Sequence, residues 1–239
     1  MDRLICVLVS LTLLTQAQAK EKMITGLWDV GYASSDVFST SGSTIYRKPV
    51  FQTWLSLTNK TGLYVKMFAT ISIKEEVVTR PGDEADFFTG FTKNLKGIDL
   101  DTGYARYYPH DNNTGGDTNV VYLGTTFPAI WKVKSYASGE IDMRADRSIK
   151  ASQPDLIYQV GLKPEIKLGR RKVVIDFSAG GSSRSGTVNF LRLAVSTAHT
   201  ISGAIDITPQ INFQRKLNDL EPGVENIVWV TIDCLLPMF

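Results

Sequence analysis

Few residues in this sequence are of the types that make and break bonds. There are two histidines, His110 and His199, and two cysteines, Cys6 and Cys234. His110 stands beside Asp111, with Asn112, Asn113 and Asp117 following, an oxygen-rich group of the kind hard cations take. Its spacing is not that of an EF-hand loop, and a solvated polar loop tip is the simpler reading. His199 lies three residues before Ser202. A nucleophile needs a base within hydrogen-bond reach and a third group to orient that base, and this pair falls at a tight turn. No catalytic residue, metal or cofactor is therefore expected, and the chain does not read as an enzyme. A larger polar set has a different logic. Lys66, Lys74, Asp99, Asp101, Lys163, Glu165, Lys167, Asp176, Arg192 and Asp206 are five basic and five acidic residues. Nearly all of them alternate with apolar neighbours.

That alternation identifies the elements that carry them. From Leu156 to Gly169 the even positions are Leu156, Tyr158, Val160, Leu162, Pro164, Ile166 and Leu168. The odd positions hold Ile157, Gln159, Gly161, Lys163, Glu165, Lys167 and Gly169. Only an extended strand has a side-chain period of two. This strand is about twice the usual ~5–6 residues of soluble domains, whereas a strand that crosses a bilayer needs ~9–11. One apolar face and one polar face suit a wall between lipid and water. Residues 63–74 repeat the pattern, with Leu63, Val65, Met67, Ile71 and Ile73 opposite Lys66 and Lys74. Residues 205–213 set Ile205, Ile207, Ile211 and Phe213 against Asp206, Gln210 and Asn212.

Read along the whole chain, the pattern predicts twelve strands. They lie at 23–33, 48–58, 62–74, 85–93, 97–108 and 119–127, then at 130–144, 155–168, 172–179, 187–197, 203–214 and 226–234. Gly139 is a candidate bulge. Connections alternate between tight and long, the asymmetry of outer-membrane barrels with short periplasmic turns and longer outer loops. The expected fold is all-β: a closed, antiparallel, up-and-down transmembrane β-barrel. Pro164 and Pro209 conflict with it, because proline withholds a ladder hydrogen bond and a closed barrel has no edge to hide it; bulges are expected at both. The terminal Phe239 suits barrel closure, but counting alternate residues back from it puts Asp233 and Pro237 on the lipid face. The set Val228, Val230, Ile232 is clean one register away, so a bulge near Leu235 or an early end of the last strand is expected.

Residues 1–19 read differently. Arg3 precedes an apolar run from Leu4 to Leu14, and Ala17-Gln18-Ala19 is a small-x-small cleavage site. This is a secretory signal peptide, leaving a barrel domain at 20–239 that starts at Lys20 and keeps one cysteine, Cys234. No later stretch of 18 or more apolar residues exists, so no transmembrane helix is expected. The net charge of +2 offers no electrostatic case for nucleic acid.

The segment EADFFTGFTKNLKGIDLDTGYARYYP, Glu84 to Pro109, together with Gly62-Leu63-Tyr64, resembles the TorF-type porin family of Gram-negative bacteria. The resemblance covers about a third of the mature chain. It departs where the family has Trp-x-Ser after Gly-Leu-Tyr and this chain has Met67-Phe68-Ala69. The resemblance implies an outer-membrane barrel with a transport role and brings no catalytic residues. The expected partners are outer-membrane lipid, the barrel-assembly machinery during biogenesis, and small polar solutes. The ten charges are pore-lining candidates, and their balance predicts weak ion preference. Two readings of the interior stand side by side: a water-filled lumen that passes small hydrophilic solutes, or a barrel plugged by paired charges whose outer loops bind a partner. Trp54, Phe68 and Tyr64 narrow the passage in either case.

Overall fold

The computed structural model describes residues 24–37, 44–46, 48–73, 84–109, 118–144, 155–169, 171–183, 185–201, 205–220 and 224–238. The strands are β1 (Ile24–Ala33), β2 (Asp36–Val37), β3 (Thr44–Tyr46), β4 (Val50–Asn59), β5 (Leu63–Ser72), β6 (Glu84–Leu95), β7 (Ile98–Pro109) and β8 (Thr118–Thr126). They continue with β9 (Val133–Arg144), β10 (Asp155–Leu168), β11 (Arg171–Ser182), β12 (Thr187–Thr197), β13 (His199–Ile201), β14 (Ile205–Lys216) and β15 (Ile227–Pro237). β2 and β3 form a separate small hairpin in the first long connection. All other neighbours are antiparallel, and β1 pairs with β15, so the sheet closes on itself. β13 prolongs β12 beside β14 in an unchanged register. The wall therefore has twelve strands, the number read from the sequence. None of the described residues forms a helix long and apolar enough to cross a membrane.

Closure answers the problem each strand poses. A strand with one apolar face must bury it or turn it to lipid, and its backbone groups must pair on both sides. Every wall strand presents an exposed large apolar side chain outward. In wall order from β1 these include Trp28, Phe51, Leu63, Phe87, Tyr104, Val121, Ile141, Leu162, Phe177, Leu191, Ile211 and Val228. A continuous apolar belt of this kind is unsuited to water and suited to hydrocarbon. Aromatic side chains are part of this belt. At the end carrying the long connections, Phe87 meets Tyr108 edge-on at 5.8 Å and Arg106 lies 4.8 Å from the Tyr108 ring. On the outer wall the Trp28 indole donates to Thr53 Oγ1 at 2.8 Å.

Several sequence expectations need correction. Residues 130–132 are not strand. Ile130 and Val133 exchange two backbone hydrogen bonds of 3.0 and 2.9 Å, and Trp131 and Lys132 turn the chain with φ of 50° and 68°. Trp131 is 94% exposed at that tip. Gly139 is no bulge: it pairs in unbroken register with Leu123 and Tyr158. Neither proline creates a bulge. At Pro164 the β10–β11 ladder skips from Leu162↔Phe177 to Glu165↔Val174 without a register change, while Pro164 stays opposite Val133 of β9. At Pro209 the pairing to β12 stops after Gln210↔Ser196 and resumes in β13 at Ile207↔His199, while Pro209 stays opposite Ile232. A missing N–H costs a ladder bond on one side only, and the wall tolerates it there. That gap is what separates β13 from β12.

β11 also runs further than expected. Gly180 and Gly181 remain in the strand and carry the one register shift among the described wall pairings. The connection to β12 is then only residues 183–186, so the alternation of tight and long connections has an exception. β15 runs unbroken to Pro237. Its outward set follows Val228, Val230 and Ile232, and Asp233 lies inside, where its Oδ1 sits against Gly31. Residues 1–23, Lys74, His110, Asp111, Asp117, Ser202 and Phe239 lie outside the described residues.

Candidate functional site in the barrel lumen

The inner wall is built around glycines crossed by tyrosines. One hydrogen-bonding row joins Tyr64, Gly90, Gly103 and Tyr122 on β5, β6, β7 and β8. The two glycines leave the space over which the flanking tyrosines bend until their hydroxyls meet. A Cβ on Gly103 would lie 2.5 Å from the Tyr122 hydroxyl. Tyr64 also donates to Asp101. The Lys66 ammonium stands 4.0 Å above the Tyr64 ring and 3.6 Å from Asp101 Oδ2. Tyrosine, aspartate and lysine thus hold one another: the carboxylate accepts from the hydroxyl, and the cation rests on the ring face.

The same arrangement recurs further round the wall. Tyr136 on β9 bends over Gly161 of β10 and donates to Asp176 Oδ1 of β11 at 2.9 Å. The Lys163 ammonium lies 3.2 Å from Asp176 Oδ2 and 4.5 Å from the Tyr136 ring. Beyond it, Gln159 donates to Ser178 at 2.9 Å and Arg192 donates to Gln214 at 2.9 Å. The Arg192 guanidinium is 5.1 Å from both the Phe190 and Trp229 rings. Between the two tyrosine clusters lies a cavity of about 520 Å³ whose lining includes Asp99, Asp101, Lys134, Tyr136 and Lys163.

The ten sequence candidates distribute as follows. Lys66 meets Asp101, and Lys163 meets Asp176. Glu165 pairs with neither flanking lysine of its own strand but with Lys172 of β11 at 2.8 Å. Asp99 accepts from Asn94 at 2.6 Å, and Asp206 accepts from Thr200 at 2.6 Å. Arg192 is held by Gln214, and Lys167 stands exposed near the tight-turn end. Lys74 lies outside the described residues.

The sequence reading missed the hydroxyls of Tyr64, Tyr122 and Tyr136, and it missed several charges. Asp29, Asp86, Glu140, Asp142, Asp155 and Asp233 face inward by the strand pairings, with Lys134 and Lys172 as added cations. Asp86 and Asp155 are buried. Among the described residues the inner wall is therefore richer in carboxylates than in cations, in contrast to the even balance expected. The signal was present in β6 and β9, where Asp86-Phe87-Phe88 and Lys134 to Asp142 alternate, but Phe87 beside Phe88 and the glycine at 139 obscured it.

No family model matches the chain, and no curated protein matches it. Its fold does match solved structures. The "KdgM porin" superimposes with a TM-score of 0.56 at 6% identity, covering 88% of this chain and 98% of that one. An outer membrane channel from Pseudomonas putida F1 gives 0.55 at 12% identity over 89% and 95% of the two chains. The "NanC porin" gives 0.50 at 10% identity over 89% and 98%. The shared feature is the fold. This chain is a closed twelve-stranded barrel of the outer-membrane kind.

Proposed function

We propose that the chain is a porin-like barrel of the bacterial outer membrane that passes small hydrophilic solutes, and that it belongs with the TorF-type porins its sequence resembles. It acts as a passage and not as an enzyme. Residues 1–19 direct export and are removed, and the barrel-assembly machinery inserts the remainder among outer-membrane lipids. Lys66, Asp99, Asp101, Lys163, Glu165, Lys167, Asp176, Arg192 and Asp206 line the pore, with Lys74 as a further candidate. A solved relative by fold carries an oligogalacturonate, which supports a water-filled interior as a property this architecture sustains.

One observation carries the reading. The inward hydrogen bonds, ion pairs and ring contacts described above join strands at most three apart along the wall. They brace its inner surface, as the Tyr64–Tyr122 and Lys163–Asp176 contacts do. The test is conductance of the purified protein in planar bilayers. Stepwise ion-conducting insertions are expected; a protein that inserts and heat-modifies normally but never conducts would favour the plugged barrel whose outer loops bind a partner.

A further inference from the structure

Of the aromatic rings on the water side of the wall, five form one connected stripe. Trp54, Phe68, Phe88, Tyr107 and Tyr122 come from five successive wall strands, β4 to β8. Their ring centroids are 4.4 Å apart for Trp54–Phe68, 5.2 Å for Trp54–Phe88, 5.9 Å for Phe88–Tyr107 and 6.3 Å for Phe88–Tyr122. Ala105, fully buried and paired with Phe88, leaves the room that lets rings two strands apart meet. Each ring still keeps part of its surface exposed.

The wall opposite is of another kind. In a closed order of twelve strands β12 lies across from β6. Around it the partly exposed polar groups are Gln210, bonded to Asn212 at 2.6 Å, and Arg192, held by Gln214 beside the Phe190 and Trp229 rings, while Gln159, Ser178, Asn212 and Gln214 are buried behind them. Amides offer donors and acceptors together. An apolar surface facing a few oriented polar groups is how proteins bind small molecules. A pyranose has the matching two-sidedness, with flat C–H faces and an edge of hydroxyls that both donate and accept.

We propose that the Trp54–Tyr122 stripe is a stacking surface for a neutral saccharide inside the lumen. This deepens the passage reading above and rests on it for access to the site. Charge selects the neutral class over an acidic one. The described inner wall holds more carboxylates than cations, and near the stripe Asp101 engages the cation Lys66. A uronate would meet like charge between low-dielectric walls, where repulsion is strong; a hydroxyl would not.

Maltohexaose, a neutral linear hexasaccharide, is the probe. Added to single channels in planar bilayers, it should interrupt the ion current in a concentration-dependent way, and hexagalacturonate should do so more weakly. Phe88→Leu keeps most of the apolar volume and removes the ring face; it and Trp54→Ala should each raise the half-blocking concentration, by up to about tenfold, the loss of one to two aromatic contacts. Phe177→Ala, on the outer wall, should leave block unchanged. Calorimetry on the detergent-solubilised barrel reads the same binding without conductance. A conducting barrel with neither block nor heat overturns the stripe and spares the passage, and so does undiminished block in both ring variants. Heat that disappears in Phe88→Leu, in a barrel that never conducts, supports the stripe and removes the passage.

Discussion

A glycine whose absent Cβ marks the path of a neighbouring ring is a packing residue as much as a flexible one. Gly161 and Gly139 sit on adjacent strands and make the contrast. A Cβ on Gly161 would fall within about 2.6 Å of several Tyr136 ring and hydroxyl atoms, while one on Gly139 would meet Leu156 at 3.7 Å and nothing closer. Tyr136 cannot give way without loosening its 2.9 Å bond to Asp176. Gly161→Ala should therefore destabilise the barrel by about 1–3 kcal/mol, the usual cost of overpacking. Gly139→Ala should stay within about 0.5 kcal/mol of the parent. Urea titration of the folded band on semi-native gels measures both, and equal midpoints would show that the ring does not need the gap.

At the scale of one strand, β10 carries the two environments side by side. Leu162 points outward and is 50% exposed on the apolar belt, and Lys167 points inward. Leu162→Arg should impair insertion, since an arginine facing the bilayer midplane costs about 2–4 kcal/mol. Lys167→Glu reverses a charge on the watered side and should insert normally. Loss of the heat-modifiable band in the first variant and its retention in the second is the expected result; identical behaviour would invert or erase the assignment of faces. The prolines belong to this scale too. Each gives up pairing on one side and keeps it on the other, so the strand holds its register without a bulge.

For the whole molecule the two ends of the barrel are distinguishable. Cysteines replacing Ser183 or Asp219, at the end with the long connections, should react with an impermeant reagent on intact cells in a background lacking Cys234. Cysteines replacing Lys60 or Lys96, in tight turns, should not. Labelling of both pairs would refute the orientation. The lumen also has a sign. With Asp29, Asp86, Glu140, Asp142, Asp155 and Asp233 added to the inner wall, the pore should prefer cations, which replaces the weak preference that an even balance would give. Changing Lys163 and Lys167 together to Glu should shift the reversal potential across a KCl gradient further toward cations. Charges about 8 Å apart are largely screened in open solution, so an unmoved potential with conductance retained would take these lysines out of the ion path.

The sequence by itself determined the wall. Alternation over long strands is local, its period is set by backbone geometry, and it reports which face meets lipid because a charge facing the bilayer core is costly. Twelve strands, their order and the facing of the cleanly alternating ones followed from it. Tertiary structure decided what the inner face does. Tyr64 meets Tyr122 across two intervening strands, Tyr136 meets Asp176 across one, and the rings from β4 to β8 gather into one stripe. Those contacts depend on curvature and on the register between strands, which bring together residues as far apart in sequence as 64 and 122. Alternation cannot encode them, because it states which way a side chain points and not what it will find there. Asp233 shows the limit from the other side. Counted from the chain's last residue it faced lipid; paired with its neighbours in β1 and β14 it faces water, since register in a closed sheet is set by all the strands together.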